Sequence, residues 1–231
     1  MILKRFLGAT LVVPAALLSG CGSNSTGVTG PGFSLSVTTP PATTLGTTAN
    51  FTVDIRSSSH SGTVTLTAAG APSDWTVAFT PSATVSLVGG ASTVVTVQVT
   101  IPSNGTAAPS GRALTLQGSG SSGSTSASAS VTVANEFVMP IVAGAGSGPH
   151  WGAHGGAVVV LRAGTLLRFL NNDAAGHIIH AGSGIPGLQH QSSVSPLALG
   201  QSYTATVGLG TDDISCHAHE AGSGQVTFVV R

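Results

Sequence analysis

Val95-Thr-Val-Gln-Val-Thr-Ile101 alternates apolar and polar side chains without a break. A strand turns successive side chains to opposite faces, so this stretch offers Val95, Val97, Val99 and Ile101 to a core and leaves Thr and Gln for water. The same period returns in Phe33-Ser-Leu-Ser-Val37, Phe51-Thr-Val-Asp-Ile55, Thr63-Val-Thr-Leu-Thr67, Trp75-Thr-Val-Ala-Phe79, Thr84-Val-Ser-Leu-Val88, Ala113-Leu-Thr-Leu-Gln117 and Val131-Thr-Val133. Breaks such as Ala71-Pro72-Ser73-Asp74 and Pro102-Ser-Asn-Gly105 carry the residues that close turns. Short alternating runs joined by such turns predict an antiparallel β-sandwich over residues 33–134.

A second series of β runs begins at Asn135: Phe137-Val-Met-Pro-Ile-Val142, Ala157-Val-Val-Val-Leu161, Thr165-Leu-Leu-Arg-Phe-Leu170, His177-Ile-Ile-His180, Ser202-Tyr-Thr-Ala-Thr-Val207, Asp213-Ile-Ser-Cys216 and Gln225-Val-Thr-Phe-Val-Val230. A chain of 231 residues is long enough for two domains of about 100 residues, each with its own core. The expected fold is therefore all-β, two sandwiches, residues 33–134 and 135–231. The first resembles the immunoglobulin-like modules of bacterial surface proteins, a likeness of pattern that implies a spacer. Its Trp75 reads as core and its His60, in Ser57-Ser-Ser-His60-Ser-Gly62, as a solvated turn residue.

The N-terminus reads as a targeting segment, with Lys4 and Arg5 ahead of an apolar run, residues 6–18, that is too short to span a bilayer. Leu18-Ser19-Gly20-Cys21 resembles the bacterial lipobox, which implies removal of residues 1–20 and lipidation of Cys21; the alternative is an ordinary signal peptide whose cleavage site precedes a Cys. Residues 21–32 form a Ser, Thr and Gly linker. By the same resemblance, Gly22 in place of Asp directs the chain to the outer membrane, so the expected location is the bacterial cell envelope, lipid-anchored, facing the periplasm or the cell surface. With 6% charged residues and no formal net charge, the chain lacks the basic footprint of a nucleic-acid binder. Partners are met through shape and apolar contact, with little long-range steering.

Chemistry concentrates in the second half, where seven of the eight His lie. Lipidation of Cys21 would leave Cys216 with no disulfide partner, so it is either an inert buried thiol or a metal thiolate. Its neighbours favour the thiolate. A copper ion used for electron transfer takes one thiolate and two imidazoles near a plane, often with a weak axial ligand. Cys216-His-Ala-His219 supplies a thiolate and an imidazole from one loop, and Asn171-Asn-Asp-Ala-Ala-Gly-His177 supplies a third donor from a distant strand.

These residues, with Gly164-Thr165, Phe169-Leu-Asn-Asn-Asp173 and Gly224-Gln-Val-Thr-Phe228, resemble the cupredoxins, the plastocyanin, azurin and amicyanin group of blue copper proteins. The resemblance implies a Greek-key sandwich over residues 135–231 and one copper ion with His177, Cys216 and His219 as equatorial ligands. The family's axial Met falls at Gly222, which has no side chain, and Met139 is remote in sequence. The axial position is left to the Gly176 carbonyl, the Glu220 carboxylate or water. Ile214-Ser215 stands where the family often has an aromatic residue before the Cys.

The other His have ordinary readings beside functional ones. In a strand His177 and His180 point to opposite faces, so His180 is expected to lie beyond the ligand set or at the surface. His217 is expected to face outward. His150, His154 and His190 lie in Gly-rich loops and read as solvated residues, with a second copper or zinc site as the sharper alternative. Asn172 and Asp173 are placed to hold the loop around His177.

The expected function is that of a copper-binding electron-transfer lipoprotein that serves a redox partner protein and is not an enzyme. The alternative is a periplasmic or surface copper carrier or tolerance protein. A structural protein whose metal site has decayed, and a copper centre open to a small substrate, are further readings. Nothing in the sequence forms a local Ser-His-Asp triad, a phosphate-binding Gly loop or a paired-carboxylate site.

Overall fold

Alternation becomes burial along the longer strands of residues 33–133. The computed structural model describes residues 32–145, 150–192, 195–216 and 224–231. Its strands begin with β1 (Phe33–Val37), β2 (Thr43–Leu45), β3 (Thr48–Ser57), β4 (Gly62–Ala69), β5 (Thr76–Thr80), β6 (Thr84–Leu87), β7 (Ser92–Thr100), β8 (Ala108–Gly120) and β9 (Gly123–Ile141). One antiparallel sheet has the order β1-β3-β7-β5, and β9-β8-β4-β6 form the antiparallel part of another. Val53, Ile55, Val95, Val97 and Val99 from the first sheet join Val64, Leu66, Leu114, Leu116 and Val131 from the second in one core. Trp75 is buried there as expected, and its indole N–H donates to the Thr106 carbonyl at 2.9 Å.

His60 departs from the solvated-turn reading. It is buried, its ring lies 5.2 Å from that of Phe33, and its Nδ1 is 2.7 Å from the Ser122 hydroxyl. A single polar residue between Ser and Gly looks like turn punctuation; the edge of the sandwich closes over it because Phe33 needs a partner for its face.

The second half continues with β10 (Val158–Leu161), β11 (Leu166–Asn171), β12 (Ile179–His180), β13 (Ser202–Thr206), β14 (Gly210–Cys216) and β15 (Val226–Val230). The described residues contain no α-helix, only a 3-10 turn at Gly152–His154, so the chain is all-β as the alternation required. One sheet is ordered β10-β15-β14-β12, with β10 parallel to β15. The other extends the first half's sheet, because β9 passes its pairing from β8 to β11, which lies parallel to it from Glu136 to Ile141 and pairs in turn with β13. Phe137, Met139, Leu167 and Phe169 on this side meet Val159, Leu161, Ile214, Val226 and Phe228 in the core.

Side-chain contacts also link the halves. The Arg162 guanidinium pairs with the Asp74 carboxylate at 2.9 Å and donates to the Asn104 carbonyl, and the Ser103 hydroxyl donates to the Val160 carbonyl. The leader, the linker up to residue 31 with Cys21, and the stretch with His217, His219, Glu220 and Gly222 lie outside the described residues.

Candidate metal centre

Three elements converge at one end of the second sheet pair. β14 ends at Cys216, whose backbone pairs with Ile179 in β12. Two residues before Ile179, His177 exchanges both backbone hydrogen bonds with Leu197. The third element follows β9, where the Val142 N–H donates to the His150 carbonyl at 3.0 Å. His150, His177 and Cys216 are all buried, and their ligand atoms lie within 4.8 Å of one another.

The hydrogen bonds decide which nitrogen of His177 faces the cluster. Its Nε2 is 2.9 Å from the Asp173 carboxylate. An ionised carboxylate only accepts, so Nε2 carries the proton and Nδ1 keeps a lone pair. That Nδ1 lies 3.5 Å from the Cys216 sulfur.

The same spacing fits a metal. Bonds of about 2.0 Å to nitrogen and about 2.3 Å to sulfur, opened at a tetrahedral angle, put the two donors about 3.5 Å apart. A soft thiolate beside neutral imidazoles, removed from water, is a donor set suited to copper. Burial of three such heads in a core otherwise built of Val, Leu and Phe is costly unless they are used together.

Asp173 links the loops that carry the two imidazoles. One carboxylate oxygen accepts from His177, while the other accepts from the Gly144 N–H at 2.8 Å in the segment leading to His150, and from the Ala174 N–H at 2.9 Å. The Asn172 N–H donates to the Ile141 carbonyl, which fastens the same two loops by backbone. Asp173 thus holds the loop as expected, but its side-chain companion is Asn171, not Asn172. The Asn171 amide donates to the Ala175 and Leu197 carbonyls, and its oxygen accepts from the Asp173 N–H.

His150 overturns its reading as a solvated loop residue: it is 1% exposed, and its ring centre is 5.0 Å from that of His177 at a near-perpendicular 83°. Trp151 explains the burial. Its indole is fully buried against Phe169, with ring centres 5.8 Å apart, and the loop that sinks the indole brings its neighbour inward. Gly148-Pro-His-Trp151 held that signal, since a Trp in a Gly-rich loop seeks apolar cover.

His154 is half-buried against Phe137. His180 is half-buried and meets the exposed His190 with ring centres 4.7 Å apart. His180 also lines an open cleft of about 650 Å³ with Asp212, Asp213 and Ser215. Gly176, whose carbonyl is an axial candidate, is exposed in the turn before His177.

Solved structures similar to this chain are cupredoxins. A purple cupredoxin from Nitrosopumilus maritimus is 18% identical, with 41% of this chain and 98% of that chain covered and a TM-score of 0.33. A reduced amicyanin variant is 20% identical, with 42% and 82% covered and a TM-score of 0.31. The reduced Cu(I) form of another amicyanin variant is 22% identical, with 42% and 82% covered and a TM-score of 0.30. No family model matches the chain. No curated protein matches it either.

Proposed function

We propose that this chain is a copper-binding electron carrier of the cell envelope, with Cys216 and His177 as the central ligands of one ion and His219 as the further imidazole that the Cys216 loop supplies. The observation that carries this reading is the buried convergence of an imidazole nitrogen and a thiol sulfur at 3.5 Å, with a second imidazole within 4.8 Å of both. The bound ion would supply reversible one-electron exchange. The protein's part is to hold donors in place through both oxidation states. His177 is fixed by its two backbone bonds to Leu197 and by Asp173 on its far nitrogen, and Cys216 by the β12 pairing. Donors fixed in this way move little when the charge changes, which keeps the barrier to exchange low. Catalysis plays no part in this reading, and the lipobox resemblance makes the carrier a membrane-tethered one.

The test is the visible and electron paramagnetic resonance spectrum of the copper-loaded full chain beside Cys216→Ser. An intense thiolate-to-copper band in the parent that vanishes in the variant is the expected result. Its absence from the parent overturns the reading. The His180–His190 pair favours a second one, a copper carrier that gathers the ion at the surface and hands it on. Rapid loss of copper to a chelator would support that reading, and a tightly held ion with a fast couple the first.

A further inference from the structure

We infer that His150 is itself a copper ligand, joining His177 and Cys216. This rests on the copper reading above and concerns how the site is completed.

The argument is one of placement. The sequence puts Gly at 222, so no side chain from that position can reach an ion. His150 comes from the opposite direction, the loop after β9, and is buried with its ligand atom within 4.8 Å of those of His177 and Cys216. Three independent anchors hold it there. Its carbonyl accepts from Val142, its neighbour Trp151 is packed on Phe169, and the segment before it is tied through Gly144 to the Asp173 carboxylate that also orients His177. A single carboxylate thereby holds both the His177 ring and the Gly144 backbone that follows β9. Such a shared support is how a protein preorganises ligands from separate loops.

The consequence is chemical. An imidazole nitrogen is a harder donor than a thioether sulfur and prefers the divalent ion, so His150 biases the site toward Cu(II). Replacing it with a thioether should reverse the bias at least tenfold, which for a one-electron couple is a rise in potential of at least about 59 mV.

The experiment uses the copper-loaded full chain. Pulsed electron paramagnetic resonance on the unsubstituted protein counts coordinated imidazoles through their remote nitrogens, and at least two are expected. His150→Gln should lower the count by one while keeping the thiolate band, and His150→Met should keep the band and raise the potential. A single coordinated imidazole in the unsubstituted protein overturns the inference without any variant having to fold, and so does a count that His150→Gln leaves unchanged. Unchanged spectra and potential in both variants overturn it as well. Either result leaves the electron-carrier reading standing, which falls only if the thiolate band is missing from the parent.

Discussion

Asp173 acts on the cluster through the His177 ring. It is almost wholly buried and accepts the Nε2 proton of His177 at 2.9 Å. A carboxylate in that place makes the imidazole more electron-rich, which would strengthen a bond from His177 to Cu(II) more than one to Cu(I). Asp173→Asn keeps the shape and an accepting oxygen but removes the charge. It is therefore expected to weaken Cu(II) binding by about 10–100-fold and to raise the reduction potential. A competition titration and a voltammogram measure the two, and a purely structural role would leave the potential where it was. The residue scale is also where the sequence misled. His60 and His150 sit among small and polar neighbours and read as solvated, yet both are buried, because what surrounds a side chain is decided by the aromatic ring that packs on it, Phe33 in one case and Trp151 in the neighbourhood of the other.

At the scale of elements, the connection from β12 to β13 decides how His190 returns to His180. It runs against the second sheet pair so closely that Gly187, with φ of +87°, has no room for a side chain: a Cβ there would collide with the Thr206 carbonyl. Gly187→Ala adds both the left-handed backbone penalty and the overlap. The expected cost is about 1–3 kcal/mol, read as a lower urea midpoint at constant slope, with separation of the His180 and His190 rings as the local effect. No shift in the midpoint would mean that the connection can move away from β13 freely. The strands themselves were legible because period-two alternation is a local property. In β7 the alternation predicted burial of Val95, Val97 and Val99, and all three are fully buried. The extent of β9 was not legible. Its 19 residues include Pro140 and a polar run around Asn135 and Glu136, where the sequence pointed to a boundary. The strand continues there because it acquires a new partner in β11, and pairing partners are not written in the local pattern.

For the whole molecule, a buried ligand set ties metal binding to folding. An ion that binds only the folded chain stabilises it by about 4.1 kcal/mol when free copper exceeds its dissociation constant a thousandfold. Copper should accordingly raise the melting temperature of the full chain, and Cys216→Ser should abolish most of the rise; equal stabilisation of the variant would place the ion elsewhere. The sequence alone determined the all-β class, the alternating apolar residues that build the core, and the pairing of His177 with Cys216 as candidate donors, because alternation, turn chemistry and donor type are properties of short stretches. Only the tertiary structure decided that His150 would lie beside them and that Asp173 would tie the His177 ring to the Gly144 backbone. His177 and Cys216 are 39 positions apart and His150 lies on a third element, so their meeting depends on which strands pair and where the loops between them close. Those are choices of the whole chain, made by burial of Trp151, Phe169 and Phe228 in a shared core.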